Sequence, residues 1–372
     1  MPEQHARLGP SSSRRWLACP GSVPWEAELP EKRSEVAEEG TAAHLLAEAR
    51  LKNDPELLKK AQKSKWYCEA METAVDTYVD YIAEHMTPDA TQYVEQQLKI
   101  FPPDCWGTSD CVICANDTLH VLDLKYGKGV KVDANENPQC LLYAWGAFQE
   151  FGFMYDFEKV QMHIIQPRLD HITSWEISID ELNDRITSMI PGIDAARLAA
   201  DQGDGERHAG SHCQFCKAAP FCTERARDAV EGLLRAIDTS TREVSPEHAG
   251  AIIEALPAVE SWAKGIKDGA YDAALHGTKI PGFKLVAGRT TRKITDQGEA
   301  IDKLLKAGFE PVQIMELRGL TDLERTVGKK DLSNILDDLI TRSTAKPSLV
   351  KDSDPRPEYS QAQQDFDIIE GE

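Results

Sequence analysis

The stretch VLDLKYGKG, residues 121–129, constrains the fold more than any other part of this chain. Apolar and polar residues alternate and then run into glycines, the pattern of a strand that ends in a turn. Side chains two apart on a strand share a face, so Val121, Asp123 and Lys125 point one way and Leu122 and Leu124 the other. A salt bridge at a strand end is one reading of Asp123 and Lys125. The residues before them supply another. Positions 109–115 and 118–126 both read as strands, and the turn signal AND between them predicts a hairpin. Such a hairpin brings Asp110, at the start of its first strand, alongside Asp123 and Lys125. Two crowded carboxylates repel unless a cation neutralises them. Hard divalent ions such as Mg²⁺ and Mn²⁺ suit that oxygen-rich setting. Lys125 is then placed to orient or activate an attacking water, or to stabilise charge developing on a phosphate.

The flanking pattern supplies layers for such a hairpin. Residues 34–50 read as a helix with Ser34 as N-cap, and Met71, Val75, Tyr78, Val79 and Ile82 recur at helical spacing within 66–86. QYVEQQLKI alternates like a strand. Pro138 opens a helix, PQCLLYAWGAFQEF; strands follow near 159–166 and 171–178, then a helix of about twenty residues from Ile179. The order is helices, three strands, helix, two strands, helix. It predicts an α/β fold with a central mixed β-sheet flanked by helices. After about residue 230 the character changes. Helical patterns at 246–275 and 296–306 and the strand-like PGFKLVAGRTTRKI predict a smaller, mostly helical α+β domain over 240–352. Residues 353–372 carry six acids and one arginine and read as a disordered tail. The main domain is expected over 1–230.

A net charge of −20 argues against a non-specific polyanion binder, so any nucleic-acid contact must rest on local basic clusters. Those are Arg14–Arg15, then Lys125, Lys128 and Lys131, then Lys284, Arg289, Arg292 and Lys293; the last group reads equally well as a solvated basic loop. No apolar run approaches membrane-spanning length and the N-terminus lacks a secretory core, so a cytoplasmic protein without membrane contact is expected. Its nine cysteines are then reduced, which favours metal binding or core packing over disulfides.

Asp110, a hairpin turn and Asp123-x-Lys125 together resemble the PD-(D/E)XK nuclease superfamily, although Ser109 stands where the proline of that name would be. Three further features strengthen the likeness: Glu95 on the preceding strand, Gln139 and Tyr143 four apart on one face of the following helix, and His44 in GTAAHLLAE on an upstream helix. The full set resembles the RecB-type branch. That resemblance implies a restriction-endonuclease-like core in which His44, Asp110, Asp123 and the main-chain carbonyl of Leu124 hold the metal. Lys125 would serve the water, and Gln139 and Tyr143 would brace the site or contact DNA. Taken singly, His44 also reads as a hydrogen-bonded core histidine, Glu95 as a solvated strand residue, and Gln139 and Tyr143 as helix surface.

HCQFCKAAPFC places Cys213, Cys216 and Cys222 in a C-x2-C-x5-C cluster, one ligand short of a metal site, and Cys19 is the obvious fourth candidate. One early cysteine plus this late triple resembles the four-iron, four-sulfur cluster of RecB-type exonucleases and of the CRISPR-adaptation nucleases. Zinc is the alternative, since thiolates bind it well and His208 and His212 lie close by. Cys111 and Cys114 point to opposite faces of a strand and read as core, as do Cys68, Cys105 and Cys140.

RWLACPGS, EEGTAAH, GTSDCVI, VLDLKYGKGV, NPQCLLYAWGA and CQFCKA, with the later PGFKLVAGRTTRKI, GKKDLSNIL and KPSLVKDSDPRP, resemble a phage and prophage family known only as a domain of unknown function. The implied activity is a Mg²⁺- or Mn²⁺-dependent DNA exonuclease of phage recombination or replication, working in the cytoplasm of a bacterial host. The implied partners are double-stranded DNA ends or single strands, with a phage single-strand-binding or annealing protein as a further candidate. Two alternatives stand beside it: a non-catalytic protein binding DNA ends or single strands on the same fold, and a zinc-stapled interaction protein whose acidic cluster is structural.

Overall fold

A computed structural model describes residues 6–29, 35–237 and 243–284, and Lys306. The chain divides into two units, Met1–Val286 and Ala287–Glu372, and all the described residues but Lys306 belong to the first. Its helices are α1 (Ser13–Ala18), α2 (Ser22–Glu28), α3 (Glu35–Leu51), α4 (Pro55–Gln62), α5 (Glu69–Glu84), α6 (Pro138–Phe151), α7 (Ile179–Gln202), α8 (Thr223–Ala236) and α9 (Pro246–Leu275). Its strands are β1 (Thr91–Phe101), β2 (Cys105–Ala115), β3 (Thr118–Leu124), β4 (Lys159–Gln166) and β5 (His171–Ser178).

The five strands form one mixed sheet whose spatial order follows the chain, β1-β2-β3-β4-β5. The β2–β3 hairpin closes at Asn116, whose φ of 50° is a left-handed conformation that asparagine tolerates. The β3–β4 pair is parallel. A tight turn cannot join parallel neighbours, and α6 makes the crossover. The other neighbouring pairs are antiparallel.

Two apolar layers cover the sheet. On one face Val112, Cys114, Leu119, Val121, Met162 and Ile164 pack with Leu142, Ala144 and Ala147 of α6, Leu182 and Ile186 of α7, and Trp16 of α1. On the other, Cys111, Ile113, Leu122, Leu124 and Ile165 pack with Leu46 of α3 and Val75, Tyr78 and Ile82 of α5. Every residue of β3 is buried, as a strand covered on both faces requires. Each fully buried Leu, Ile or Val contributes roughly 1.5–3 kcal/mol, which fixes the register of the strand that carries Asp123.

The α/β fold with a flanked mixed sheet agrees with the sequence reading; several boundaries do not. β2 begins at Cys105, because its first half pairs with β1 alone, so Asp110 stands in mid-strand and not at its start. β3 ends at Leu124, although the Lys125 N–H still reaches the Ile165 carbonyl at 2.8 Å. The helix expected over 66–86 starts at Glu69. Cys68 is its N-cap and is exposed, which corrects its expected place in the core. Cys105, Cys111, Cys114 and Cys140 are buried, with Cys111 and Cys114 in opposite layers. The short helices α1, α2 and α4 have no counterpart in the sequence reading. For α4 the signal was present: the Asp54 carboxylate accepts from the N–H groups of Glu56 and Leu57 at 2.9 and 3.1 Å, just ahead of Pro55.

Helix α9 lies in the first unit, with Gly269 against Phe221. Ser34, the helix expected at 296–306 apart from Lys306, Arg289, Arg292, Lys293 and the tail at 353–372 lie outside the described residues. Among the described residues no helix is long and apolar enough to cross a membrane.

Candidate active site

The site forms where β2 and β3 part. Their ladder runs from Ala115↔Thr118 to Cys111↔Leu122, so the next step would set Asp110 against Asp123. There the strands separate, and the Asp110 Oδ2 atom accepts the Leu124 N–H at 2.7 Å in place of a ladder carbonyl. Across β1, the pairs Val94↔Cys111 and Gln96↔Ser109 leave Glu95 opposite Asp110. Glu95 has φ 51°, a left-handed conformation that is costly for a residue with a β-carbon. Helix α3 brings His44 to the same spot, its Nδ1 3.2 Å from Asp110 Oδ1. One ligand atom from each of His44, Glu95 and Asp110 lies within 4.8 Å of the other two.

A second cluster adjoins the first. The Asn137 side chain caps α6 by accepting the Gln139 N–H at 3.0 Å, and Pro138 fills the first helical position. That fixes the first turn, and Gln139 reaches back to β3. Its Nε2 donates to Asp123 Oδ1 at 2.7 Å, and its Oε1 accepts from Lys125 Nζ at 3.0 Å. Lys125 Nζ also donates to Asp123 Oδ1 at 3.2 Å and pairs by charge with Oδ2 at 2.9 Å. Asp123 Oδ2 is buried and accepts no hydrogen bond.

Charge balance follows from these contacts. Burial alone would lower the His44 pKa, but the Asp110 carboxylate overrides it and carries the imidazole to about 9. Burial likewise works against ionised Asp110; His44 and the Leu124 N–H outweigh it, and the Asp110 pKa falls below its ordinary value. Asp123 goes the other way: burial raises it, Asp110 adds to the rise, and Lys125 only partly offsets them. The Lys125 pKa is raised, since Asp123 and Asp110 overcome desolvation, so Lys125 is a cation at neutral pH. Glu95 is lifted to about 7, by burial first and Asp110 second.

Tyr143 lies one turn beyond Gln139 and is buried. Its ring packs on β2 where there is no side chain: a β-carbon on Gly107 would come within 3.0 Å of the Tyr143 hydroxyl. Burial, then the charges of Asp123 and Asp110, raise its pKa far above the ordinary value. Leu124 gives its N–H to Asp110 and its side chain to the α3–α5 layer.

The segment after Lys125 is laced to the sheet by side chains that sequence reasoning missed. Buried Gln166, at the end of β4, accepts the Val132 N–H at 2.7 Å and donates to the Val130 carbonyl at 2.9 Å. Arg168 lies over the Tyr126 ring and pairs with Glu39 at 2.9 Å. The only local sign of this was a polar residue closing an apolar strand. Lys128 and Lys131 stand exposed on the tethered segment, and a β-carbon on Gly127 or Gly129 would meet nothing within 4 Å.

Cys19, Cys213, Cys216 and Cys222 line one small cavity with Arg15, Trp25 and His212. All are free thiols. Cys19 ends α1 and Cys222 caps α8. Arg15 ties the N-terminal helices to the segment of the late cysteines, donating to the Phe215 carbonyl at 3.0 Å and pairing with Glu26 at 2.6 Å. Glu26 in turn accepts the Lys217 N–H at 2.6 Å, and Gly21 donates to the Glu206 carbonyl at 2.8 Å.

Both clusters have donor sets that fit a metal. The carboxylates of Glu95, Asp110 and Asp123 with the His44 imidazole suit a hard divalent cation, and four cysteines lining one cavity are the residue type that holds a thiolate-bound centre.

The family model DUF2800, described as a protein of unknown function, matches residues 5–357. Among solved structures, an inferred exonuclease from Eubacterium rectale is similar at 10% identity and TM-score 0.37, over 57% of this chain and 86% of that one. The crystal structure of SSO0001 is similar at 14% identity and TM-score 0.24, over 57% of this chain and 96% of that one. Neither likeness bears on chemistry.

Proposed function

The chain belongs to the DUF2800 family, and from the site it carries we propose that it is a RecB-like, metal-dependent deoxyribonuclease of the PD-(D/E)XK type, an exonuclease of phage recombination or replication. The observation that carries this reading is the meeting of Asp110, Asp123, Lys125, His44 and Glu95 where β2 and β3 part. Nothing in the packing of the sheet calls for three carboxylates, one imidazole and one ammonium in that gap. Their desolvation is costly unless a bound cation and a phosphate use them.

Asp110 and Asp123, with the Leu124 carbonyl and with His44 after it gives up its proton, would hold Mg²⁺ or Mn²⁺, which supplies Lewis-acid activation of water and phosphate when bound. Lys125 does not act as a base, being a cation. Asp123 and Gln139 aim its ammonium, which donates hydrogen bonds to the attacking water and to the phosphate oxygen that gains charge. Water attacks phosphorus and the bond to the leaving sugar oxygen breaks. Glu95, half-buried beside Asp110, would take up the proton the water loses. Tyr143 braces the helix that carries Gln139. Lys128 and Lys131 would meet the backbone of the incoming strand, and the glycines on either side of Lys128 let it approach closely without reading bases. The partners in this reading are DNA ends or single strands and a phage single-strand-binding or annealing protein, in the cytoplasm of a bacterial host.

We propose further that Cys19, Cys213, Cys216 and Cys222 hold a structural four-iron, four-sulfur cluster. Brown protein with iron and sulfide after anaerobic purification is expected; colourless protein with stoichiometric zinc would overturn it.

An end-labelled linear duplex tests the activity. Degradation from the ends in Mg²⁺ or Mn²⁺, abolished by a chelator, with covalently closed circles left intact, is the expected result. No degradation in either metal, with DNA binding retained, would make this a DNA-end or single-strand binding protein instead.

A further inference from the structure

A second polar cluster lies on the opposite face of β3, three residues before Asp123. His120 of β3 and His163 of β4 both belong to the layer beneath α5. The strands are parallel with His163 opposite Leu122, so the two histidines are diagonal neighbours. Both are buried, His163 completely. His85, at the C-cap of α5, closes over them, its ring centroid 5.1 Å from that of His120 and 4.6 Å from that of His163. One ring nitrogen from each of the three lies within 4.8 Å of the other two.

The contacts around these rings orient them. The Tyr81 carbonyl is 2.9 Å from His85 Nδ1. A carbonyl only accepts, so the proton sits on Nδ1 and the Nε2 lone pair is free. The Tyr81 hydroxyl is 3.0 Å from His163 Nδ1, leaving Nε2 of that ring turned to His120 Nδ1 at 3.2 Å. An imidazole whose far nitrogen is hydrogen-bonded to a carbonyl or hydroxyl is the usual arrangement at a metal. Two imidazole nitrogens bound tetrahedrally to zinc at about 2.0–2.1 Å stand about 3.3–3.4 Å apart, close to the observed separation. A plain hydrogen bond between His120 and His163 explains that pair, but not why a third imidazole is drawn in beside them with its tautomer set.

We propose that His85, His120 and His163 bind a divalent transition-metal ion, zinc foremost, which fastens the end of α5 to β3 and β4. The donors are three nitrogens with no carboxylate among them, so the site favours zinc and its neighbours over Mg²⁺. This separates it in metal preference from the acidic cluster on the other face.

The test uses the full chain, stripped of loosely held metal and dialysed against zinc chloride in excess Mg²⁺. Metal content is compared between wild type, His85→Gln and Tyr81→Phe. The difference between proteins isolates this site from any zinc held by the cysteines. Wild type should hold one zinc equivalent more than His85→Gln, with iron content and circular dichroism unchanged, and anomalous diffraction at the zinc edge should place that ion among the three rings. Tyr81→Phe keeps all three ligands and loses one orienting hydroxyl; its zinc affinity should fall about 10–100-fold. Equal zinc in wild type and His85→Gln, or an anomalous peak elsewhere only, overturns the proposal. If His85→Gln does not fold, the Tyr81→Phe affinity and the wild-type anomalous map decide, and an unchanged affinity or an empty map counts against it.

Discussion

Glu95 shows most plainly what single residues do here. Its left-handed backbone costs on the order of 1–3 kcal/mol, and its carboxylate is half-buried beside Asp110. Both costs place one carboxylate next to His44 and Asp110. Glu95→Gly removes them together, so it should stabilise the fold by about 1 kcal/mol, raising Tm by roughly 2–4 °C, while nuclease activity falls. A lower Tm would show that the residue is held without strain. Asp123 and Lys125 were legible in the sequence because strand periodicity fixes their shared face. The φ of Glu95 was not, since nothing local to YVEQQ marks a left-handed residue inside a strand.

At the scale of elements, the site exists because β2 leaves β3 at Asp110 while α6 starts at Pro138, aimed at the gap. The hairpin and the helix start were legible, each having its own turn or cap signal. Where the ladder stops was not, because it depends on β1 claiming the first half of β2. The histidine cluster was invisible for a related reason: His85, His120 and His163 lie on three elements far apart in sequence and share no local spacing. Burial, reinforced by neighbouring imidazoles, holds His120 at about 4 and His163 at about 3, below the 6.5 of an unfolded chain. A histidine with a lowered folded pKa stabilises the fold fully above pH 6.5, and that contribution is lost as pH falls through 4 and 3. In chelator-treated protein the stability advantage of wild type over His163→Gln should therefore be largest above pH 6.5 and shrink by a few kcal/mol on acidification, read as denaturant midpoints. A gap that stays constant with pH would contradict this.

Across the whole first unit, the chain is closed on itself by the contacts around Cys19 and Cys213–Cys222, about two hundred residues apart. From the sequence Cys19 is a candidate partner for the late triple; the backbone contact beneath them has no local signal. Gly21 lies so close to residues 205–206 that a β-carbon there would stand 2.4 Å from the Gly205 carbonyl oxygen. Gly21→Ala should cost about 1–3 kcal/mol and lower iron content along with Tm. Unchanged values of both would mean that these two segments are only loosely joined. The net charge of −20 leaves DNA contact to a few exposed lysines near the gap, so the chemistry depends on the half-buried Lys125 ammonium beside Asp123. Lys125→Ala measures that dependence: the cleavage rate of a labelled linear duplex in Mn²⁺, compared with wild type at matched Tm. The account predicts a loss of about 100-fold or more with folding unchanged. A Lys125→Ala protein that cuts at the wild-type rate would contradict it.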